Sequence, residues 1–291
     1  MTSLRHSPSG LAYGLAAYVI WGFFPLYFHY LAVIPAPEVL AQRIVWSFVF
    51  VAALILVLGR QAAVRKALAS AATRRALLLS AVLVTINWLT FIWAVAQQRV
   101  MESSFGYFLT PLVSVLLARL FLQEHLNRYQ VLACVLALLG VGWQLIGMGK
   151  LPWVSLTLAL SFGFYGLVRK QAAADSLTGL GVETGLLLPF ALAHWGWLLW
   201  SGQGHSAEAG LWPNVLLLAS GVLTALPLLL FASAAKQLSL SIIGFMMYIN
   251  PTLQFLIGVF VLHEPFSTPQ LISFCFIWSA LLVFSYGSWR A

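Results

Sequence analysis

Ten apolar runs follow one another along the chain, and polar positions fall almost entirely in the short gaps between them. The runs lie near 11–31, 38–58, 77–96, 103–122, 128–147, 151–170, 178–200, 212–235, 240–262 and 269–288. Each has about the 20 residues that a helix needs to cross a bilayer. Within them apolar residues are continuous, with Leu, Ala and Val dominant, whereas barrel strands would alternate over short segments. The expected fold class is therefore all-α integral membrane, with ten transmembrane helices. The longest polar connections, 59–75 and 201–211, are too short to hold a soluble domain.

Composition agrees with the pattern. Apolar residues make up 62% of the 291 and charged residues only 8%, against about a quarter charged in a soluble domain. The first run contains Trp21, Tyr27 and Tyr30 and lacks a small-residue cleavage site, so it reads as a retained helix, not a signal peptide. Cys134 and Cys275 lie inside apolar runs without a Cys or His at ligand spacing, so neither a disulfide framework nor a metal site is expected.

The net charge of +8 sorts by membrane side and does not form a nucleic-acid surface. With the N-terminus inside, eleven of the fifteen basic residues fall in cytoplasmic segments, Arg60, Arg65, Lys66, Arg74 and Arg75 among them. Arg99 and Lys150 fall on the opposite side, and Arg43 and Arg119 lie within runs. The excess of Lys and Arg on one side predicts that both termini face the cytoplasm.

Sliding the chain by 140 positions exposes an internal repeat. "FLTPLVSVLLARLFLQE" at 108–124 meets "YINPTLQFLIGVFVLHE" at 248–264, so Pro111 and Glu124 match Pro251 and Glu264. With an offset of 141, "WGFFPL" at 21–26 meets "FGFYGL" at 162–167. The halves are 1–147 and 148–291, each with five runs. An odd number of spans forces the second half to enter the membrane from the other side, giving the inverted repeats of many secondary transporters.

Several stretches also resemble the RarD branch of the EamA family, in the drug/metabolite transporter superfamily. They are "EVLAQRIVWS" at 38–47, "FGFYGLVRK" at 162–170, "GVETGLLLP" at 181–189 and the paired Pro-to-Glu segments. The resemblance covers essentially the whole chain. It implies ten helices in two inverted five-helix repeats and a multi-pass permease of the bacterial cytoplasmic (inner) membrane, of the chloramphenicol-resistance type. It also implies export of small amphipathic metabolites or drugs.

Candidate chemistry lies where polar groups enter apolar runs. Arg43 and Glu183 sit at nearly equivalent places in the second and seventh runs, and intramembrane charges usually face a partner or a pathway. Each is expected to meet a polar partner in the interior, the other of the two being one option. Glu183 is either a satisfied buried carboxyl or a group that exchanges protons and couples transport to them. Asn87 and Asn250 add polar groups, while Trp21, Trp88, Trp93, Tyr107, Tyr165 and Tyr248 lie deep enough to wall a substrate pathway. Pro25, Pro111, Pro227 and Pro251 are expected helix kinks, because proline frees a carbonyl one turn earlier. Glu124 and Glu264 fall at helix ends and are expected to fix turns. Isolated His29 and His194 suggest no catalytic pairing.

No Ser or Cys nucleophile has a His partner, and neither an H-E-x-x-H nor a G-x-x-x-x-G-K-[ST] stretch occurs. An enzyme, a metal site, a cofactor and direct use of ATP are therefore not expected. The expected partners are the lipid bilayer and a small-molecule substrate, with oligomeric state left open. A lipid-linked substrate flippase, a channel and a structural protein are the alternatives to a solute carrier.

Overall fold

The computed structural model describes residues 7–97, 99–148, 153–206, 208–261 and 268–289. Among these there are thirteen helices and no strand, and every apolar run lies on helix. The first run holds α1 (Pro8–Gly22) and α2 (Phe24–Leu31), interrupted at Phe23 beside Pro25. Pro35 precedes α3 (Ala36–Val57). Next comes a short amphipathic helix, α4 (Gln61–Ala69), inside a connection that the hydrophobic pattern leaves without structure. Its length and its charges explain why an apolar-run reading passes over it.

Local signals set most helix starts. Ser70 accepts the Thr73 amide at the head of α5 (Ala71–Ala96). After α6 (Val100–Phe121), Asn127 and Gln130 bond each other's amides reciprocally, a capping box for α7 (Arg128–Met148). Then follow α8 (Trp153–Gln171) and α9 (Ser176–Ser201). The latter is capped by Asp175 and ended by Gly202 at φ 67°, the left-handed conformation that glycine adopts without a side-chain clash. Gly210 precedes α10 (Leu211–Gln237). The ninth run splits into α11 (Leu240–Met246) and α12 (Ile249–Phe260), and α13 (Thr268–Trp289) closes the described chain with Pro269 in its first turn.

The four prolines do not act alike. Pro25 and Pro251 stand just past interruptions, whereas α6 and α10 run without interruption through Pro111 and Pro227. Two of the four expected kinks are therefore helix breaks, and at the other two the helix stays continuous. Glu264, the expected turn residue of the second half, lies outside the described residues.

In the bundle, α3 packs between α9 and α10, α1 rests on α10, and α8 lies against α5 and α6. The pair α7 and α13 packs together, and α11 and α12 cross α1 and α6. Without a hydrophobic driving force between helices in lipid, close approach at small residues supplies much of the association. Gly106 lies against the Ser155 backbone, Gly221 against the Trp46 carbonyl, and Gly140 against the Ser273 carbonyl. Large apolar side chains such as Leu120, Phe190, Trp200 and Leu282 point outward, which suits a lipid surface. Among the described residues, seven segments are long and apolar enough to cross a membrane: Pro8–Leu31, Ala36–Val57, Ala71–Ala96, Glu102–Phe121, Ser176–Ser201, Leu211–Gln237 and Leu240–Phe260. Arg128–Trp143 and Leu271–Phe284 are shorter apolar helices.

The α3–α10 crossing provides a stability test. A side chain at Gly221 would run into the Trp46 backbone, while Gly142 faces open space. Gly221→Val should cost about 1–3 kcal/mol through overpacking, measured by unfolding in mixed micelles, and Gly142→Ala should cost nothing. Equal losses at the two positions would contradict the crossing.

Candidate functional site

The site is built around one cation. Arg43 projects from α3 and is only 2% exposed. Its Nε donates to Thr224 Oγ1 on α10 at 3.0 Å. Its guanidinium carbon lies 5.0 Å from the ring centres of Phe28 and Trp88, and 5.8 Å from that of Phe24. These ring faces hold the charge by cation–π attraction. Among the described residues, its two terminal nitrogens donate to no group and no carboxylate pairs with it.

Arg43 borders a narrow cavity of about 30 Å³. Trp21, Phe24, Phe91 and Phe162 form its apolar walls, Met247 lies at the α11–α12 break, and Tyr107 adds a hydroxyl. Three amides complete the lining. Asn87 Nδ2 donates to the Leu158 carbonyl and the Ser161 hydroxyl, both at 3.0 Å, which orients its amide. Gln254 Nε2 donates to Asn250 Oδ1 at 2.6 Å, leaving the Gln254 Oε1 without a partner.

Six of the ten sequence-expected pathway residues meet here: Trp21, Arg43, Asn87, Trp88, Tyr107 and Asn250. The other four lie elsewhere. Trp93 packs on Trp153 beside Arg99, and Tyr165 sits behind Phe162 against Phe231. Tyr248 is buried against Phe108 and Phe245, its hydroxyl unpartnered, and Glu183 belongs to a second polar centre. Phe24, Phe91, Phe162, Met247 and Gln254 complete the lining without having been singled out. Two of them carried a signal in the repeat, since Phe162 is the counterpart of Trp21 and Met247 that of Tyr107.

The second centre corrects one option of the sequence analysis, that Arg43 and Glu183 are each other's partners. Glu183 Oε1 accepts a bond from Ser80 and faces Arg169 Nε at 3.6 Å. Arg169, in the last turn of α8, reaches Glu183 because Gly179 has no side chain where the guanidinium lies. Arg169 Nη2 also reaches the Asp175 and Ser176 carbonyls at 3.5 and 3.3 Å. The pair is buried yet incomplete, with Glu183 Oε2 and Arg169 Nε and Nη1 lacking hydrogen bonds. Burying two charges is offset only when geometry and hydrogen bonds are good, so the second centre is held loosely.

Three further charges tie helix ends together at the Arg169 end of α8. Lys170 caps the carbonyls of Ala235 and Leu238, and Lys236 caps those of Lys170 and Ala172, so α8 and α10 clasp each other's C-termini. Glu124 accepts the Leu240 and Ser241 amides and the Ser241 hydroxyl. Glu124 lies past the end of α6, where a turn-fixing residue was expected, and its carboxylate instead holds the start of α11 in the second half; Gln123 before it is left-handed (φ 53°). A role the sequence reading missed is that of Glu38, buried at the head of α3, which accepts the His205 and Ser206 amides.

This geometry can be set beside known proteins. The EamA-like transporter family model matches residues 8–145 and again 151–286. The chain belongs to this family. An EamA-like chain of Salmonella typhi, Protein RarD, is 45% identical over 280 residues, covering 96% of this chain and 95% of its own. An uncharacterized transporter of Pseudomonas aeruginosa is 44% identical over 97% of this chain and 95% of its own. A second Pseudomonas aeruginosa relative, named chloramphenicol-sensitive protein RarD, is 33% identical over 99% and 97%. A solved crystal structure superposes with a TM-score of 0.70, covering 97% of this chain and 99% of that one; at 15% identity that likeness concerns the fold alone. The protein is a multi-pass membrane transporter.

Outside the spans, Asp175 gives a pH prediction. Burial disfavours its charge, but the Thr178 amide and hydroxyl and the Arg60 ion pair at 2.7 Å outweigh that, holding the carboxyl below its ordinary value. A lowered folded-state pKa contributes stability that is complete above about 3.9, the unfolded value, and lost as pH falls through the folded one. Acid unfolding of Asp175→Asn should therefore be less pH-dependent than that of the parent below about pH 4; identical acid profiles would exclude this role.

Proposed function

We propose that the protein is a secondary transporter that exports small amphipathic metabolites or drugs across the bacterial cytoplasmic membrane. It does so by alternating access between two inverted halves, 1–147 and 148–291, with ten spans and both termini inside. The observation that carries this reading is the cavity beside Arg43, lined by residues from both halves, including the repeat-related pairs Trp21 with Phe162 and Tyr107 with Met247. The interface between halves is where secondary transporters hold their substrates.

Helix pairing supports the two-fold relation. Under the repeat, α5 on α8 becomes α10 on α1, α6 on α8 becomes α12 on α1, and the α3–α9 and α7–α13 pairs map onto themselves. The family model matching twice, once in each half, agrees. Yet the halves differ in shape. The first and ninth runs are interrupted at the cavity, while their counterparts α8 and α6 are continuous. Exchanging these shapes between halves would turn one exposure into the opposite one, which is the change that alternating access requires.

Glu183 is the group to test for proton coupling, because it is buried and its carboxylate is only half-satisfied. The purified protein in liposomes, challenged with amino acids, aromatic drugs and organic cations with and without a pH gradient, should move at least one amphipathic solute. Trp88→Ala should slow that flux by about tenfold or more, as expected for loss of about 1.4 kcal/mol of binding. Glu183→Gln should make it indifferent to the gradient. Lipid scrambling with no solute flux would overturn the carrier reading in favour of a flippase. Flux that stays gradient-dependent in Glu183→Gln would remove the coupling role.

A further inference from the structure

We infer that the cavity selects organic anions, a carboxylate borne on an apolar and preferably aromatic body. The inference rests on the transporter reading of the cavity and names the substrate class it would take.

The argument begins with the charge of the site. Arg43 is 98% buried by its 2% exposure, and its side chain borders the cavity. The described carboxylates are engaged or placed elsewhere: Glu38 with the His205 and Ser206 amides, Glu102 with Arg99, Glu124 with α11, Asp175 with Arg60 and Glu183 with Arg169. Glu208 lines a separate open pocket with His205 and Glu38. Neither an acid nor a histidine lines the Arg43 cavity, whose other polar groups are amides and the Tyr107 phenol. The described cavity therefore carries one fixed positive charge. A cationic solute would be repelled, and a neutral one would leave the guanidinium without its ion partner.

The geometry leaves the correct donors for a carboxylate. Thr224 uses Nε, and the rings of Phe24, Phe28 and Trp88 lie around the guanidinium. What remains is the pair of terminal nitrogens, the end of the fork that meets carboxylate oxygens in parallel hydrogen bonds. Because Thr224 and the rings fix the plane of the group, little freedom is lost when an anion arrives. Beyond this polar end the walls are Trp21, Phe91, Phe162 and Met247, which favour an apolar body. The cavity is narrow, about 30 Å³, well below the roughly 300 to 1,000 Å³ of formed ligand pockets, so its aromatic walls must part to admit even a single-ring acid. A bare inorganic anion would leave the aromatic walls unused.

The inference concerns charge, so it is tested with three probes of nearly one shape: phenylacetate, phenylacetamide and phenethylammonium, titrated calorimetrically into the full chain in micelles. Phenylacetate should bind about tenfold or more tightly than the other two, a gap of about 1.4 kcal/mol or more. Arg43→Gln should abolish that preference and Arg43→Lys should keep part of it. Asn87→Asp, which leaves Arg43 in place but adds a carboxylate to the cavity, should also abolish it, so the test survives a fold failure of Arg43→Gln. Equal or tighter binding of the amide or the ammonium by the parent chain, in a manner weakened by Trp88→Phe, would overturn the anion inference while leaving the transport cavity standing. Heat from none of the three probes would overturn both.

Discussion

One buried guanidinium, with no acid partner among the described residues, constrains the rest of this bundle. An arginine at a helix centre costs about 2.5–3.5 kcal/mol on insertion scales, and the fold must offset that cost locally. Three aromatic faces, each worth up to about 2 kcal/mol when desolvated, and the Thr224 hydroxyl do so. Meeting that requirement brings α2, α3, α5 and α10 together around Arg43. The interruption between α1 and α2 starts the helix that carries Phe24 and Phe28 to the guanidinium. The rings surround the charge, and its terminal nitrogens donate to no group among the described residues.

The two halves solve one geometric problem with opposite chemistry. With the 141-residue offset, Phe24 and Phe28 of the first half correspond to Tyr165 and Arg169 of the second. On the neighbouring helix, Gln42 and Arg43 correspond to Glu183 and Thr184. In each half a long side chain therefore bridges corresponding helices, at positions one residue apart in the repeat. The first half places aromatic rings against a cation, and the second places a cation against a carboxylate. The first arrangement leaves donors free beside an empty space, whereas the second consumes its charges in a loose pair at 3.6 Å. A pair with unsatisfied atoms on both sides is easier to break than a complete one.

Much of this was legible in the sequence because the physical signal was strong. Long apolar runs have one stable form in lipid, so the all-helical fold followed from their length and continuity. The rare polar residues inside them, Arg43, Asn87 and Asn250, led to the cavity because intramembrane polarity is expensive. The repeat carried Phe162 and Met247, though only beside partners already suspected. Partner identity was not legible. Arg43 and Glu183 occupy matching positions, yet Arg169 sits where Gly179 opens room for it, and no spacing rule records that fit. Nor could proline alone separate a break from a continuous helix, since Pro25 and Pro251 adjoin interruptions while Pro111 and Pro227 do not. Neighbouring helices decide how the freed carbonyls are satisfied. Trp93, Tyr165 and Tyr248 illustrate the same limit, because depth along a run says nothing about which way a ring faces.

The most direct test asks whether the Arg43 cavity opens to both sides of the membrane. Met247 lines it at the α11–α12 break and is buried in this conformation. In a chain with Cys134 and Cys275 replaced, Met247→Cys can be offered a membrane-impermeant thiol reagent from either face of sealed vesicles. Alternating access predicts modification from both faces, in proportions that shift when solute is added. Modification from one face alone, under every solute condition, would contradict it.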